Sequence, residues 1–569
     1  MTQAVTSAGG RQPDSAPAPP TPAPTPSPSR LRGWVRPLSL SLTTGALLYA
    51  CHFPLAWGWL GWIALLPLLC LVRLPEGGRR IYVSAWLGGM LFFWAALYWM
   101  SVADYRMVYT WAMLATYCSL YFPLAIYFLR RLDRLTRLPL VVTVPVVWTA
   151  LECFRANFGT GFAWYLLGYT QQANLPAIQI ADLGGVYAVS FVVAAVNALV
   201  FEVLASLVSG PWSTSRQRRR WLPVQFAAIA LLVGGTFGYG FWRLNQATTT
   251  PGPTLALLQG NLDQRIRNDA TANVYEAIGG ILRHYVSLHD EALRHQPRPD
   301  LIVWPETSYP IEWPESSYGH LTPPAQGLAR QLWQRGGTDF LLGLNVRVDP
   351  DGEKKRYNSA LLIGKGGRYE GQYDKIHRVP FGEYVPLRGI LPFMNRFAPY
   401  DFDYSIWPGE HLTRFQLKDW RFGTAICFED SDPELCRHYG AADADGPAVD
   451  FLVNISNDGW FDGSSEHEEH LALCRFRAIE CRRALARAVN MGISAVLDGN
   501  GRVLALPEPT WSASKKVSAV LVAQVPVDHR TSLYALWGDW LPWLCGFVLL
   551  VGLTWSVVWP LSQGGTRPA

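Results

Sequence analysis

Three short stretches of the chain run from apolar residues into side chains able to do nucleophilic chemistry: DLIVWPETS, YDKIHRVPFGEYVP and FGTAICFED. The first places Glu306 after Trp304-Pro305, where the proline fixes the approach to a turn. The second carries Lys375, and the third sets Cys427 directly before Phe428-Glu429-Asp430. A thiol becomes a nucleophile when a base takes its proton and a nearby cation favours the thiolate. A carboxylate can be that base, and a lysine can supply charge for an oxyanion. Each residue also has an ordinary reading. A free cysteine in an apolar strand is commonly a packed, inert residue, and a lone Glu or Lys commonly forms a surface pair. Two other chemistries find no support: His467-Glu468-Glu469-His470 lacks the HExxH order of a zinc protease and reads as a polar helix start, and no GxSxG elbow occurs. The sequence therefore assigns no metal and no organic cofactor.

The elements that must hold these residues alternate. TLALLQGN, DLIVWPETS, FLLGLNV, SALLIG, FGTAICFED and DFLVNISNDGW read as strands, and residues 273–294 and 466–490 read as helices. Strands alternating with helices argue for a layered α/β domain. Several strands end in a polar cluster, as with Glu306, Glu429 and Asn457-Asp458, and strand ends in such domains commonly converge on one site.

Outside this region the composition changes. Of 569 residues, 50% are hydrophobic and only 16% charged, with 25 tryptophans, against about a quarter charged in an average soluble domain. Residues 37–72, 81–103, 107–129, 138–151, 184–201, 221–242 and 540–566 contain no Asp, Glu, Lys or Arg. About 20 apolar residues cross a bilayer. The first run has length for two spans hinged near His52-Phe53-Pro54, which gives about eight spans, seven before the α/β region and one after it. Arginine clusters at Arg30, Arg32 and Arg36, at Arg73, Arg79 and Arg80, at Arg130, Arg131, Arg134 and Arg137, and at Arg216 and Arg218–Arg220 alternate with arginine-poor connections such as 51–54. By the positive-inside rule both termini face the cytoplasm and the α/β region lies outside it. These loops account for the net charge of +5, which is not a nucleic-acid signal. The organisation expected is a disordered Pro/Ala/Ser-rich cytoplasmic tail (1–33), a seven-span membrane domain (34–245), a catalytic domain (250–530) and a C-terminal transmembrane helix (534–560). Of nine cysteines, the four in the α/β region (Cys427, Cys436, Cys474, Cys481) show no close CxxC pairing, so no disulfide framework or zinc site is indicated.

In their order, PETS after an apolar strand, YDKIHRVPFGEYVP and AICFED resemble the Glu-Lys-Cys signature of the nitrilase superfamily. Joined to WTALECFRANFGTGFAWYLLGYTQ (148–171) and ISNDGWF (455–461), they resemble the apolipoprotein N-acyltransferase family over about 37–559. The resemblance implies an α-β-β-α sandwich of nitrilase type on the periplasmic side of a bacterial inner membrane. Glu306 is then the general base, Lys375 the oxyanion residue and Cys427 the nucleophile. Glu383, Phe428 and Glu429 support the site, and Asn457 and Trp460 contact substrate. The implied reaction is ping-pong: a glycerophospholipid acylates Cys427, and the thioester passes its acyl chain to the α-amino group of a diacylglyceryl-modified apolipoprotein cysteine. The partners expected are those two substrates and the bilayer, with a monomeric enzyme. One departure is Arg267-Asn268, where family members can carry tryptophan.

Three rivals stand beside this reading. A membrane-tethered nitrilase-type amidase would not need the 148–171 motif. A fused polyprenyl-sugar arrangement would need a second domain. A non-catalytic lipoprotein-binding scaffold would have no reason to keep Glu, Lys and Cys together. The aromatic stretch PFMNRFAPYDFDYSIWP (392–408) reads either as a loop packed on its own domain or as a lid at the lipid headgroup level. Glu152 and Arg155 sit either at the membrane interface or on a path from bilayer to site.

Overall fold

The computed structural model describes residues 32–562 except 105, 137, 211, 213–215, 264–273, 311, 315–322, 349–353 and 399–403. Residues 1–31 of the tail and Arg267-Asn268 thus lie outside the described residues. The apolar runs form helices α1 (Arg32–Cys51), α2 (Leu66–Arg73), α3 (Gly78–Ala96), α4 (Met107–Ser119), α5 (Tyr121–Leu135), α6 (Leu140–Asn157), α7 (Ala181–Leu207) and α8 (Leu222–Leu244). Among the described residues, four are long and apolar enough to cross a membrane: Met107–Leu135, which joins α4 to α5, then α6, α7 and α8. Gly58–Arg73 and Trp540–Trp555 are apolar but shorter. The structure therefore gives four spans by length and composition where the sequence suggests about eight. Ser39, Ser41, Thr43 and Thr44 dilute the hydropathy of α1, and the rest of run 37–72 is a 3-10 turn (Gly58–Trp62) followed by the eight residues of α2.

Polar and small side chains repair the broken helices. Asn197 of α7 accepts from Leu65 N–H at 2.9 Å and donates to Gly61 C=O at 2.8 Å. It thereby satisfies backbone groups that an apolar environment would leave stranded. Helices α1 and α3 meet backbone to backbone: a Cβ on Gly88 would lie 2.4 Å from Ser41 O, the close approach that small residues allow between apolar helices.

Most strands form two large sheets, beside a short antiparallel pair of 249–250 with 527–528. β1 (Thr254–Gln259), β2 (Leu301–Val303), β3 (Asp339–Val348), β4 (Lys355–Gly364) and β5 (Arg368–Asp374) belong to one. β6 (Arg414–Leu417), β7 (Trp420–Ile426), β8 (Phe451–Ser456), β9 (Ala484–Val489), β10 (Ala495–Leu497) and β11 (Val503–Ala505) make the other, and β12 (Ala519–Gln524) returns to the first. The orders are β12-β1-β2-β3-β4-β5, with 313–314 beside β3, and β11-β10-β9-β8-β7-β6. β1-β2-β3 and β7-β8-β9 are parallel. Leu255, Val303, Leu341, Phe422, Val453 and Ala486 pack in a core between the sheets. α9 (Val274–Arg294) and α10 (Pro323–Gly336) cover the first sheet through Ile302, Trp304 and Leu342. α11 (Pro433–Gly440) and α12 (Glu466–Cys481) cover the second through Leu452 and Leu485. This is an α-β-β-α sandwich. α13 (Trp540–Ser562) follows and packs beside α6.

One sequence expectation fails at α12. The helix expected over 466–490 ends at Cys481, because Arg482 takes the left-handed conformation (φ 50°), and ALARAV becomes β9. Being buried on both faces, that strand shows no period-two alternation to read. The polar helix start expected at 467–470 is there, but all sixteen residues of α12 are buried. One face (Leu471, Cys474, Ala478, Cys481) packs on the second sheet, and another (Leu473, Phe476, Ile479) joins the core of the membrane helices. Its polar residues bond across the same seam. Glu480 accepts from Val186 N–H at 2.8 Å, and Arg482 pairs with Asp182 at 2.8 Å.

Candidate active site

Glu306, Lys375 and Cys427 meet at the ends of strands from both sheets. Glu306 lies in the turn after β2. That turn rests on β3 at Gly343, where a Cβ would stand 2.1 Å from Pro305 O. Asn358 donates to Glu306 Oε1 at 2.6 Å and Asn457 N–H to Oε2 at 2.9 Å. Lys375 follows β5 and is fully buried; its Nζ is 3.6 Å from Glu306 Oε1 and 2.8 Å from Glu383 Oε1. Glu383 is fixed in turn by Val379 N–H at 2.7 Å and by Asn358 at 3.3 Å.

Cys427 begins a one-turn 3-10 helix (Cys427–Ser431) at the end of β7. Its φ of 53° is a left-handed conformation that costs a non-glycine residue about 1–3 kcal/mol. The turn sets its thiol within the electrostatic reach of Glu306, Lys375 and His470. Glu429, two residues on and fully buried, holds the turn in place. It accepts from Ile426 N–H at 2.7 Å, Ile376 N–H at 2.6 Å, His377 N–H at 3.0 Å and Tyr373 Oη at 2.8 Å, so the Cys427 turn and the Lys375 loop share one carboxylate.

The electrostatics suit a proton shuttle. Burial raises the Glu306 carboxyl, with Glu383 adding to the rise and Lys375 opposing it. Burial also raises the Cys427 thiol, and the Glu306 charge raises it further against Lys375 and His470. The resting site therefore holds a protonated thiol beside its base. Burial alone would lower the Lys375 ammonium, but Glu383 and Glu306 outweigh it and keep the lysine charged. Burial pushes the Glu429 carboxyl up to about 7 against its backbone donors and Lys375.

The other expected residues surround this centre. Phe428 stacks on Trp164 of the membrane portion, with centroids 6.2 Å apart, and meets His377 edge-on. Asn457 is 3% exposed: its backbone holds Glu306 and its side chain accepts from Asn490 at 3.0 Å. Trp460 is half-buried in the turn Asp458–Phe461. Sequence reasoning missed Asn358 and Tyr373, which sit within strands β4 and β5. Adjacent polar residues in YNSALL were the available signal. It also missed a buried charge cluster behind Cys427. There Asp458, Glu466 and His470 bring donor atoms within 4.8 Å of one another, but Arg487, 2.7 Å from Asp458, already supplies the cation.

Glu152 and Arg155 are both buried. Glu152 accepts from Leu167 N–H at 2.6 Å, and Arg155 donates to Trp164 O at 2.8 Å. With Phe92, Phe122, Trp148 and Tyr165 they line a mostly apolar groove of about 480 Å³, open space at its mouth included. Within 392–408, the described residues divide. Tyr404 and Ile406 are buried on their own domain, whereas Phe393 is exposed and Phe397 approaches Tyr109 of α4 at 6.2 Å.

Residues 44–199 match the apolipoprotein N-acyltransferase N-terminal domain family, and residues 254–534 match the carbon-nitrogen hydrolase family. An apolipoprotein N-acyltransferase of Geobacter metallireducens is 35% identical over 406 residues, covering 70% of this chain and 71% of that one. One from Azotobacter vinelandii is 31% identical over 420 residues, covering 72% of each. One from Gloeobacter violaceus is 28% identical over 515 residues, covering 88% of this chain and 90% of that one.

Proposed function

The chain belongs to the apolipoprotein N-acyltransferase family, and from that premise we propose how its residues divide the reaction. It is an acyltransferase. It moves a fatty acyl chain from a glycerophospholipid to the N-terminal α-amino group of the S-diacylglyceryl cysteine of apolipoproteins. The observation that carries this reading is the gathering of Glu306, Lys375 and Cys427 at strand ends of both sheets, with the Lys375 ammonium 3.6 Å from the Glu306 carboxylate and Phe428 of the Cys427 turn stacked on Trp164 at the seam with the membrane helices.

Glu306 takes the thiol proton as Cys427 Sγ attacks the ester carbonyl. Lys375 and the backbone N–H of Phe428 hold the oxyanion. The tetrahedral adduct collapses, the carbon–oxygen ester bond breaks, and the lysophospholipid leaves with the proton from Glu306. The α-amino group then attacks the thioester, gives a proton to Glu306, and displaces the thiolate, which recovers that proton as the amide forms. Glu383 and Glu429 hold Lys375 and the Cys427 turn, Phe428 packs the turn against the membrane portion, and Asn457 and Trp460 border the substrate. No metal or cofactor takes part.

The chain crosses a bacterial inner membrane eight times, with α1 to α3 and α13 completing the spans. Residues 250–530 face the periplasm, both termini face the cytoplasm, and the enzyme works as a monomer. The apolar groove lined by Phe92, Trp148 and Tyr165 suits an acyl chain. Exposed Leu387, Ile390 and Phe393 suit the headgroup level, where amphipathic and aromatic residues settle. The amidase alternative is tested by resolving what discharges the thioester. Purified protein given phospholipid alone should accumulate a hydroxylamine-sensitive acyl group on Cys427. Adding a peptide with an N-terminal diacylglyceryl cysteine should then yield an acylated amine. Steady release of free fatty acid without acylated peptide would make the chain a hydrolase.

A further inference from the structure

Behind the nucleophile lies a group of buried charges that the acyl-transfer steps do not consume. His470, on α12, is 2% exposed. Its Nε2 lies 2.8 Å from Asp430 Oδ1 and 3.4 Å from the Cys427 carbonyl oxygen. Its Nδ1 lies at ion-pair distance, without hydrogen-bond alignment, from Asp458 Oδ1 (3.2 Å) and Glu466 Oε1 (3.1 Å). A neutral imidazole has one N–H and would turn a lone pair toward one of these carboxylates, so acids at both nitrogens call for the doubly protonated ring. Arg487 of β9 closes the cluster, 3.0 Å from Asp430 Oδ2 and 2.7 Å from Asp458 Oδ2.

Two features connect this ring to the chemistry. The first is the strained turn. The carbonyl of Cys427 faces His470 Nε2 at 3.4 Å and Asn454 Nδ2 at 3.5 Å, donors placed on the peptide whose residue holds φ 53°. The second is charge balance. Lys375 must answer both Glu306 and Glu383, which leaves the thiol facing a net negative pair of elements from that side. Asp458 adds to this from the far side, while His470 acts on the thiol as a second cation. The charged and titratable groups facing His470 are Asp430, Asp458, Glu466, Arg487, Cys474 and His467. Those facing Cys427 are Glu306, Lys375, Asp458 and His470, with Glu429 and Asp430 on its own turn.

We propose that His470 is a positioning residue: its imidazolium pins the left-handed Cys427 turn and, with Lys375, supplies the positive field under the thiolate. The inference rests on Cys427 being the nucleophile. That reading is judged separately, since it fails if Cys427→Ala still acylates lipoprotein, whereas the labelling below reports on Cys427 either way.

The test is alkylation of the full-length, detergent-solubilised protein with iodoacetamide from pH 6 to pH 10, read by mass spectrometry on the Cys427 peptide. His470→Gln keeps a hydrogen-bond donor but not the charge. It should slow labelling at pH 7 about tenfold and move the pH midpoint up by about one unit. Glu466→Gln removes a negative charge from the same ring and should move the midpoint down. A lesion that merely loosened the fold would not move the two variants in opposite directions. A folded His470→Gln with an unchanged profile, or both variants shifting the same way, overturns the proposal. If His470→Gln does not fold, Glu466→Gln decides: a downward shift supports the proposal and an unchanged midpoint refutes it.

Discussion

Glu429→Gln is the sharpest perturbation of the site that leaves the three reacting residues in place. Above pH 7 the native carboxylate is ionised, and its two oxygens accept three backbone N–H groups and the Tyr373 hydroxyl. Glutamine has the same shape but only one accepting oxygen. If its NH2 takes the place of Oε2, it faces the Ile426 N–H; if it takes the place of Oε1, it faces those of Ile376 and His377. The cheaper orientation leaves one buried backbone donor without an acceptor, at a cost of about 1–3 kcal/mol. Because these donors belong to the Cys427 strand on one side and the Lys375 loop on the other, the cost falls on their alignment. Carried fully into the barrier, it slows acyl-enzyme formation by about five- to 150-fold. The assay is single-turnover acylation of Cys427 by phospholipid, at pH 8.5 and at pH 6. The deficit should be largest at pH 8.5 and shrink at pH 6, where protonation makes the native carboxyl resemble glutamine. A folded variant acylating at the native rate at pH 8.5 would refute the idea that Glu429 couples the two loops.

Cys427→Ala, Glu306→Ala and Lys375→Ala should each abolish N-acylation of lipoprotein, measured by mass spectrometry of lipoprotein N-termini, with double variants no worse than single ones. Cys436→Ala and Cys481→Ala remove buried thiols outside the site and should keep the activity while lowering thermal stability. Asp182→Asn leaves Arg482 buried without its carboxylate, so the thermal midpoint in detergent should fall by the equivalent of about 3–5 kcal/mol, with partial recovery on adding Arg482→Met; an unchanged midpoint would refute the pair's role. Reporter fusions at Gly252 and after Ala569 should report opposite sides of the membrane, and a cytoplasmic signal at Gly252 would overturn the proposed topology.

What was legible in the sequence was what the chain states locally. Glu306 and Cys427 stand where an apolar run meets a turn, so strand pattern alone puts them at strand ends, and Lys375 sits in a segment whose resemblance to a known signature names it. What was not legible depends on neighbours from afar. EHEEH looks hydrophilic, yet every residue of that helix is buried, because membrane helices cover the face that water would otherwise hydrate. ALARAV carries an arginine where a strand core calls for an apolar residue, and only Asp430 and Asp458, from other elements, make Arg487 tolerable there. Asn358 reads as an ordinary strand residue until the fold sets Glu306 and Glu383 beside it. Only four of the about eight expected spans stand out by length and composition among the described residues, since charge-free runs mark what bilayer or protein can surround and α1 is diluted by hydroxyls such as that of Ser41, which donates to Pro37 C=O.

The ionic seam along α12 also constrains inheritance. Asp182, Gln179 and the backbone of Val186 on one side answer Arg482 and Glu480 on the other. A substitution on either side strands a buried charge unless its counterpart changes in the same lineage. A graft of one species' helices onto another's sandwich should therefore fail wherever these contacts differ, until they are transplanted together. At this surface the helices and the sandwich are therefore expected to change together.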